Sequence, residues 1–213
     1  MEVIRDRGPE DSAASPLILL PGAYMHARDF VQHGFITAAR RTGRAGDIVA
    51  VETGMEPYLD GSIVGRLVEV IAPSRKVWLG GISLGGLGAL LYARAHPEAV
   101  AGIVLLSPFI GTRGVVVQVI QAGGFAAWRP PAAEAATGEH GFLQWLSNYR
   151  PDDAAWPDIY LGYGKDDRFA ASYRLLAGLL PAGRIEAVAG GHDWETWTVL
   201  WDRLLRMAPL RAG

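Results

Sequence analysis

The sequence predicts one α/β domain over residues 1–213, with a doubly wound, mostly parallel sheet of about six strands and helices on both faces. Short apolar runs alternate with segments of helical periodicity along nearly the whole chain, as in folds where crossover helices connect parallel strands. The chain has 213 residues, and half of them are hydrophobic. This length and composition suit a single domain with a sizeable core.

The predicted strands are six apolar runs that end close to glycine, proline or polar residues. Arg40, Arg41 and Arg44 are expected to form a solvated helix end. Three tryptophans between positions 194 and 201 share one face of the last predicted helix, which is expected to pack on the sheet. The strands cover 16–22, 47–53, 76–81, 101–108, 158–164 and 184–190, and the helices cover 27–41, 63–71, 84–96, 168–180 and 193–207.

The longest stretch without a predicted strand, residues 109–157, is expected to form a small helical cap. Two apolar segments in it, "GVVVQVIQAGGFAAW" and "GFLQWLSNY", can each form a short helix with one apolar face. Because the stretch follows a strand end, it is expected to lie over the carboxyl edge of the sheet, although both helices could instead pack onto the body of the domain. Candidate walls of a substrate pocket are Tyr24, Phe125, Trp128, Phe142 and Trp145.

The composition excludes several kinds of chemistry and partner. The chain has no cysteine, which rules out disulfides and thiolate sites and fits a cytoplasmic location. The net charge is −2 and the pI about 6.2, so no nucleic-acid partner is expected. The charged N-terminus does not look like a secretory signal, and no apolar run is long enough to cross a membrane. No cluster has metal-ligand spacing, so neither a metal nor a cofactor is expected, and the oligomeric state is left open.

The densest glycine cluster surrounds a single serine in "GGISLGGLGAL". Gly81, Ser83 and Gly85 fit the pattern G-x-S-x-G where a predicted strand meets a predicted helix, which is the context of a nucleophile elbow. Glycine two residues either side of the serine avoids clashes at a sharp turn. The turn raises the hydroxyl at the carboxyl edge of the sheet, where doubly wound folds bind ligands. Ser83 is therefore the candidate nucleophile.

A serine hydroxyl needs a base to take its proton and a third group to orient that base. Among the five histidines, His192 follows the last predicted strand and is expected at the same sheet edge as Ser83. The loop after the fifth predicted strand supplies two adjacent carboxylates, Asp166 and Asp167, one of which is expected to face His192. Asp193 is expected to cap the last helix instead.

Acyl transfer also needs hydrogen-bond donors aimed at the oxygen on which negative charge develops. The backbone amide that follows the nucleophile, that of Leu84, is one predicted donor. The second is expected from the loop after the first predicted strand, where Gly22 lets the backbone turn and Ala23 presents its N–H.

These motifs resemble the α/β-hydrolase superfamily over nearly the whole chain. The elbow "GGISLGGLGALLYARAHPEAVAGIVLLSP" and the ending "GGHDWETWTVLW" also resemble compact serine esterases related to esterase D. The resemblance implies a minimal α/β-hydrolase fold, with Ser83 as nucleophile and His192 as base. It favours Asp167 over Asp166 as the acid, because the family's loop usually carries the acid three residues after a glycine, here Gly164.

The function implied by the resemblance is hydrolysis of small-molecule acyl esters through a Ser-His-Asp triad and an acyl-enzyme. Ala23 and Leu84 match the oxyanion amides, although the family's usual His-Gly before the first amide is Pro21-Gly22 here. Hydrolysis of thioesters would use the same residues, and a catalytically silent binding protein on this fold is a third interpretation. The apolar pocket is expected to take acyl chains up to about butyrate or hexanoate, because each buried methylene adds affinity until the pocket is full.

Overall fold

The structure is a computed structural model that describes residues 1–10, 12–72, 75–135 and 137–209. Its strands are β1 (Val3–Asp6), β2 (Leu17–Leu20), β3 (Ile48–Val51), β4 (Val77–Ile82), β5 (Val100–Leu106), β6 (Asp158–Gly164) and β7 (Ile185–Val188). They form one seven-stranded sheet in the order β1-β3-β2-β4-β5-β6-β7. All neighbouring strands are parallel except β1 and β3, which are antiparallel.

Helices connect the parallel strands and cover both faces of the sheet. In the described residues they are α1 (Ala27–Gln32), α2 (Phe35–Arg41), α3 (Glu56–Leu59), α4 (Ile63–Val70), α5 (Leu84–Ala95), α6 (Arg113–Gln121), α7 (Gly138–Ser147), α8 (Ala170–Ala177) and α9 (Trp194–Met207). We find no helix among them with the length and apolar character needed to span a bilayer.

Two hydrophobic cores lie on opposite faces of the sheet, because successive strand residues point to opposite sides. On one face, side chains of α1, α2 and α9 pack against the sheet, with Trp197 and Trp201 buried at the centre. On the other face, α3, α4, α5 and α8 share a core with the buried sides of α6 and α7. The structure thus confirms the doubly wound architecture and the sheet-packing face of the last helix.

The sheet has one strand more than the sequence predicts. The extra strand, β1, lies within the charged N-terminal stretch and pairs only with β3 at the sheet edge. Edge strands tolerate charged residues because one side of the strand is not paired. The helix predicted at 27–41 is two helices, α1 and α2, which meet at Gly34 with a left-handed φ of 74°.

The prediction of a solvated arginine cluster is wrong for two of its three residues. Arg40 donates to the carboxylate of Asp6 and, through Nη1, to the carbonyl of Gly46 at 2.7 Å. Arg44 is buried and donates to the carbonyl of Ser15. Both guanidinium groups therefore donate to backbone carbonyls. Of the three arginines, only Arg41 is exposed.

The fold places its chemistry-bearing loops at one edge of the sheet. The strand order reverses direction between β2 and β4, and in doubly wound folds ligands bind at the carboxyl ends of the strands at such a switch point. The loop after β2 and the turn after β4 meet there, and the loops after β6 and β7 lie further along the same edge.

Candidate active site

Ser83 occupies the turn between β4 and α5 with φ 52° and ψ −114°, a conformation that residues with a side chain rarely adopt. A Cβ atom on Gly81 would overlap the carbonyl of Gly85, and one on Gly85 would overlap the carbonyl of Leu20. Both overlaps involve backbone atoms, which cannot move aside cheaply. The two glycines therefore permit the turn that presents Ser83 at the end of β4.

His192 lies between Ser83 and Asp167. Its Nε2 is 3.1 Å from Ser83 Oγ, and its Nδ1 is 2.7 Å from Oδ2 of Asp167. The side chain of Asp167 is fully buried, whereas 23% of the His192 side chain is exposed. Two hydrogen bonds thus connect a buried carboxylate, through an imidazole, to a hydroxyl at the carboxyl edge of the sheet.

The Asp167 carboxylate accepts two further hydrogen bonds. The hydroxyl of Tyr173, on α8, donates to Oδ2 at 2.9 Å, and the amide of Phe169 donates to Oδ1 at 2.9 Å. Burial is the largest influence and raises the pKa of Asp167, but the bonds from His192, Phe169 and Tyr173 together hold that pKa below its ordinary value. Burial and the neighbouring carboxylate raise the pKa of Tyr173. Asp167 therefore stays ionised and Tyr173 stays a donor.

The other two acidic residues of these loops hold the backbone in place. Oδ2 of Asp166 accepts a hydrogen bond from the amide of Gly190 at 2.9 Å. Asp193 caps α9, and its Oδ1 accepts from the amide of Thr196 at 2.9 Å, as the sequence predicts. Asp166 therefore joins the loop after β6 to the loop after β7, while Asp167 is the carboxylate in contact with His192.

The loop after β2 packs directly against the turn that carries Ser83. A Cβ atom on Gly22 would lie 3.2 Å from the Cβ of Ser83, which is tighter than most Cβ contacts. In the described ranges, the backbone amides of Ala23 and Leu84 donate no hydrogen bond. Two N–H groups at this edge are therefore available to a ligand.

The five predicted pocket residues are spread over several environments. Phe125, Trp128 and Phe142 are buried in the core shared with α5, and Phe142 also borders a surface groove. Trp145 is partly buried and its ring lies 5.1 Å from that of Trp156. Tyr24 is 89% exposed. The structure therefore brings only Phe142 of this set to the border of a cavity near the site.

Residues absent from the sequence prediction line the cavity at Ser83 instead. It holds about 30 Å³ and is lined by Ser107, Phe109, Phe169 and Tyr173, among others. Ser107 has a positive φ of 45°, is buried, and its Oγ has no hydrogen bond of good geometry within the described residues. Its position at the end of β5 is a signal that the sequence offers, because that strand end falls at the same sheet edge. Tyr173 and Phe169 carry no comparable signal.

Comparison with known families agrees with the fold. The family described as alpha/beta hydrolase fold matches residues 70–192, which is more than half of the chain. The chain therefore belongs to the alpha/beta hydrolase fold family. A comparison of the sequence with curated proteins found no match. Among the described residues, no group of three or more His, Asp and Glu side chains is arranged to hold a metal ion.

Solved structures with the same fold include several hydrolases. A fluorophosphonate-binding serine hydrolase of Staphylococcus aureus is 17% identical with a TM-score of 0.64, and the match covers 96% of this chain and 88% of that one. A ferulic acid esterase is 15% identical with a TM-score of 0.62, covering 99% and 98%. A thioesterase domain from the curacin biosynthetic pathway is 13% identical with a TM-score of 0.59, covering 96% and 94%. At these identities the likeness concerns the fold.

Proposed function

We propose that this protein is a serine hydrolase that cleaves carboxylic esters of small molecules through an acyl-enzyme on Ser83. The observation that carries the proposal is the pair of hydrogen bonds made by His192, at 3.1 Å to Ser83 Oγ and at 2.7 Å to Asp167 Oδ2. A buried carboxylate, an imidazole and a strained serine in this order are the parts that acyl transfer requires. The hydrolase fold of the chain supports the same reaction class.

In the proposed acylation step, Ser83 Oγ attacks the ester carbonyl carbon while His192 Nε2 takes the hydroxyl proton. The Asp167 carboxylate accepts from His192 Nδ1, so it holds the tautomer whose Nε2 is free to act as base. It also stabilises the imidazolium that forms. His192 then gives the proton to the leaving alkoxide oxygen, and the alcohol departs.

In this proposal the amides of Ala23 and Leu84 donate hydrogen bonds to the negatively charged oxygen of the tetrahedral intermediate. Both N–H groups lack a hydrogen-bond acceptor in the part of the chain that the structure describes, and fixed donors of this kind stabilise a developing oxyanion. Water then attacks the acyl-enzyme, and His192 takes its proton. Collapse of the second intermediate returns the proton to Ser83 and releases the acid.

The proposed enzyme is a single domain in which residues 109–157 form a small cap. Phe109, Ile110 and Gly111, at the start of this stretch, line the cavity that contains Ser83. Phe142, on α7, borders the neighbouring groove. The cap in this proposal acts through its first residues and one side of α7, while the rest of its apolar surface packs into the core.

A thioesterase is the second candidate, because a thioester carbonyl would meet the same nucleophile, base and amides. A structure with this fold carries that activity in its name. Only the leaving group would differ, and a thiolate needs less help from a general acid than an alkoxide does. A panel of matched oxyesters and thioesters distinguishes the two activities. A silent binding protein has no need of the complete set of contacts around His192.

Labelling with a fluorophosphonate tests the proposal. We expect the probe to modify Ser83 alone, and Ser83→Ala to lose both the label and turnover, by about 10⁶-fold as for a triad nucleophile of a protease. Ser172→Ala is the matched control, because Ser172 lines the same cavity but its hydroxyl donates to the carbonyl of Phe169 and has no hydrogen bond to an imidazole, so its label should persist. Labelling of another serine, or of none in the folded protein, would contradict the proposed enzyme.

A further inference from the structure

Two spaces of very different size meet at the segment 109–111, and Ser83 lines the smaller one. The cavity that contains Ser83 and His192 holds about 30 Å³, which is room for one or two water molecules. A neighbouring groove holds about 360 Å³. Phe109, Ile110 and Gly111 border both spaces, so this segment is the divider between them.

The divider is held rigidly next to the nucleophile. The amide of Phe109 donates to the carbonyl of Ser83 at 2.9 Å, and Ile110 is only 1% exposed because its side chain enters the core. Two residues before the divider, the amide of Ser107 donates to the carbonyl of Gly162 at 2.8 Å. Moving the divider toward the groove would therefore require breaking a backbone hydrogen bond or withdrawing a core side chain.

The two spaces also differ in lining and in access to solvent. The cavity at Ser83 is the more enclosed, and the rings of Phe109 and Phe169 help to close it. The groove is more open to solvent, and its lining is mainly apolar with a few charged side chains. Leu59, on α3, is 61% exposed beside it. The apolar part of the lining is Tyr58, Leu59, Leu87, Leu91 and Phe142.

The chemistry of the two-step reaction assigns each half of the ester to one space. The acyl half stays bonded to Ser83 Oγ through both steps, so it can occupy an enclosed cavity. The alcohol half must leave after the first step and needs a path to solvent. We therefore infer that the substrate is an ester of a short acid with a larger, mainly apolar alcohol. This inference rests on the proposed function and makes the acyl half smaller than the sequence alone suggests.

Two substrate series test the assignment in the wild-type protein. With p-nitrophenol as a constant leaving group, we expect kcat/KM to be highest for acetate or propionate and about tenfold or more lower for hexanoate, because a full cavity excludes further methylenes. With acetate as a constant acyl group, we expect kcat/KM to rise from ethyl through butyl to hexyl, by up to about fourfold for each methylene buried in the groove.

Two variants, each with a different expected effect, localise the two halves. Phe169→Ala removes a cavity wall whose side chain is partly exposed, and we expect it to raise the ratio of hexanoate to acetate turnover. Leu59→Gln places a polar group on the groove and should lower the ratio of hexyl to ethyl acetate turnover. Val199→Gln is the matched control, since Val199 is 44% exposed on α9 and lies away from both spaces.

The results separate this inference from the proposed function. If Ser83 is labelled and esters are cleaved, but kcat/KM rises with acyl length and is flat or falling with alcohol length, the assignment of the two halves is overturned. Flat profiles in both series, or no change of either ratio in the two variants, overturn it as well. Failure of Ser83 to react with the fluorophosphonate removes the proposed function itself.

Discussion

At the scale of single residues, one carboxylate oxygen receives two donors. Oδ2 of Asp167 is 2.7 Å from His192 Nδ1 and 2.9 Å from the Tyr173 hydroxyl. The same hydroxyl lies 3.3 Å from His192 Nδ1. The position of the imidazole is therefore set by a carboxylate that is itself held by a hydroxyl from α8.

The two adjacent aspartates make a matched pair for mutation. Asp167→Asn should lower kcat by about 10⁴-fold, because an amide at this position favours the wrong imidazole tautomer. Asp166→Asn keeps an oxygen that can accept from the Gly190 amide, so its effect on kcat should be small. The measurement is steady-state kinetics on an activated ester. A larger loss in the Asp166 variant would mean that the loop has a different register in solution.

Tyr173→Phe should lower the free energy of unfolding and should also change how that free energy depends on pH. The variant loses a hydrogen bond to a buried carboxylate, which costs about 1.5–3 kcal/mol at neutral pH. The pKa of Asp167 lies below its ordinary value of 3.8, so the stability that this depression supplies is present above about pH 4 and is lost as the pH falls through the folded-state pKa. The difference in unfolding free energy between wild type and variant should therefore be constant from neutral pH to pH 5 and shrink below about pH 4.

Urea unfolding at several pH values measures this difference. Tyr163→Phe is the control, because its ring lies 5.5 Å from that of Tyr173 while its hydroxyl has no hydrogen bond within the described residues. The control should show no pH-dependent difference from wild type. A constant penalty for Tyr173→Phe down to the lowest pH would indicate that the hydroxyl does not interact with the ionised carboxylate.

At the scale of elements, the turn between β4 and α5 depends on close backbone approach. The helix α5 passes so near β2 and α3 that an added Cβ atom would overlap a neighbour at two positions, Gly85 against the carbonyl of Leu20 and Gly88 against the ring of Tyr58. The same approach brings the N-terminus of α5, with the Leu84 amide, to the sheet edge. The close packing of α5 at these glycines is therefore needed both for folding and for the position of the site.

Gly85→Ala should destabilise the protein severely, by more than about 3 kcal/mol. The added methyl group would overlap backbone atoms of Leu20, the last residue of β2, and of Pro21. Gly65→Ala is the contrasting substitution. Gly65 is an exposed residue of α4 whose added methyl group would meet no atom within 4 Å, so the change should stabilise by about 0.5–1 kcal/mol. Thermal unfolding of both variants checks the prediction, and similar melting temperatures would contradict it.

At the scale of the whole molecule, the edge strand β1 is attached by one arginine as well as by its pairing with β3. Arg40, on α2, donates to the carboxylate and carbonyl of Asp6 and to the carbonyls of Arg44 and Gly46. These groups come from β1 and from the loop before β3. The guanidinium thus connects α2, β1 and the loop before β3.

Arg40→Ala should lower the unfolding free energy by about 2 kcal/mol, since several hydrogen bonds to partly buried acceptors are lost together. Arg41→Ala, one position along, removes an exposed side chain and should change stability by less than about 0.5 kcal/mol. Chemical denaturation of the two variants provides the comparison. Equal effects would show that loss of charge, and not loss of these contacts, determines the change.

The sequence predicts the parallel strands well and misses the antiparallel edge strand β1. The strand predicted at 158–164 has the same bounds as β6, and each of the other five predicted runs matches one strand to within two residues at either end. Buried parallel strands are continuous apolar runs between turn residues, so they are visible in a sequence. β1 carries charges and is paired on one side only. The burial of Arg44 depends on a contact with Ser15, which no local pattern reports.

The sequence by itself determined the fold class, because apolar runs and helical segments alternate along the chain, and it indicated the elbow around Ser83 and the candidate His192 from their positions after predicted strands. Only the tertiary structure decided that Asp167 and not Asp166 contacts His192, and that Tyr173 supports that carboxylate. It also decided that Phe109 and Phe169 line the cavity at Ser83. The physical reason is that these contacts join residues on different strands and helices, and their geometry is set by how helices pack on a twisted sheet.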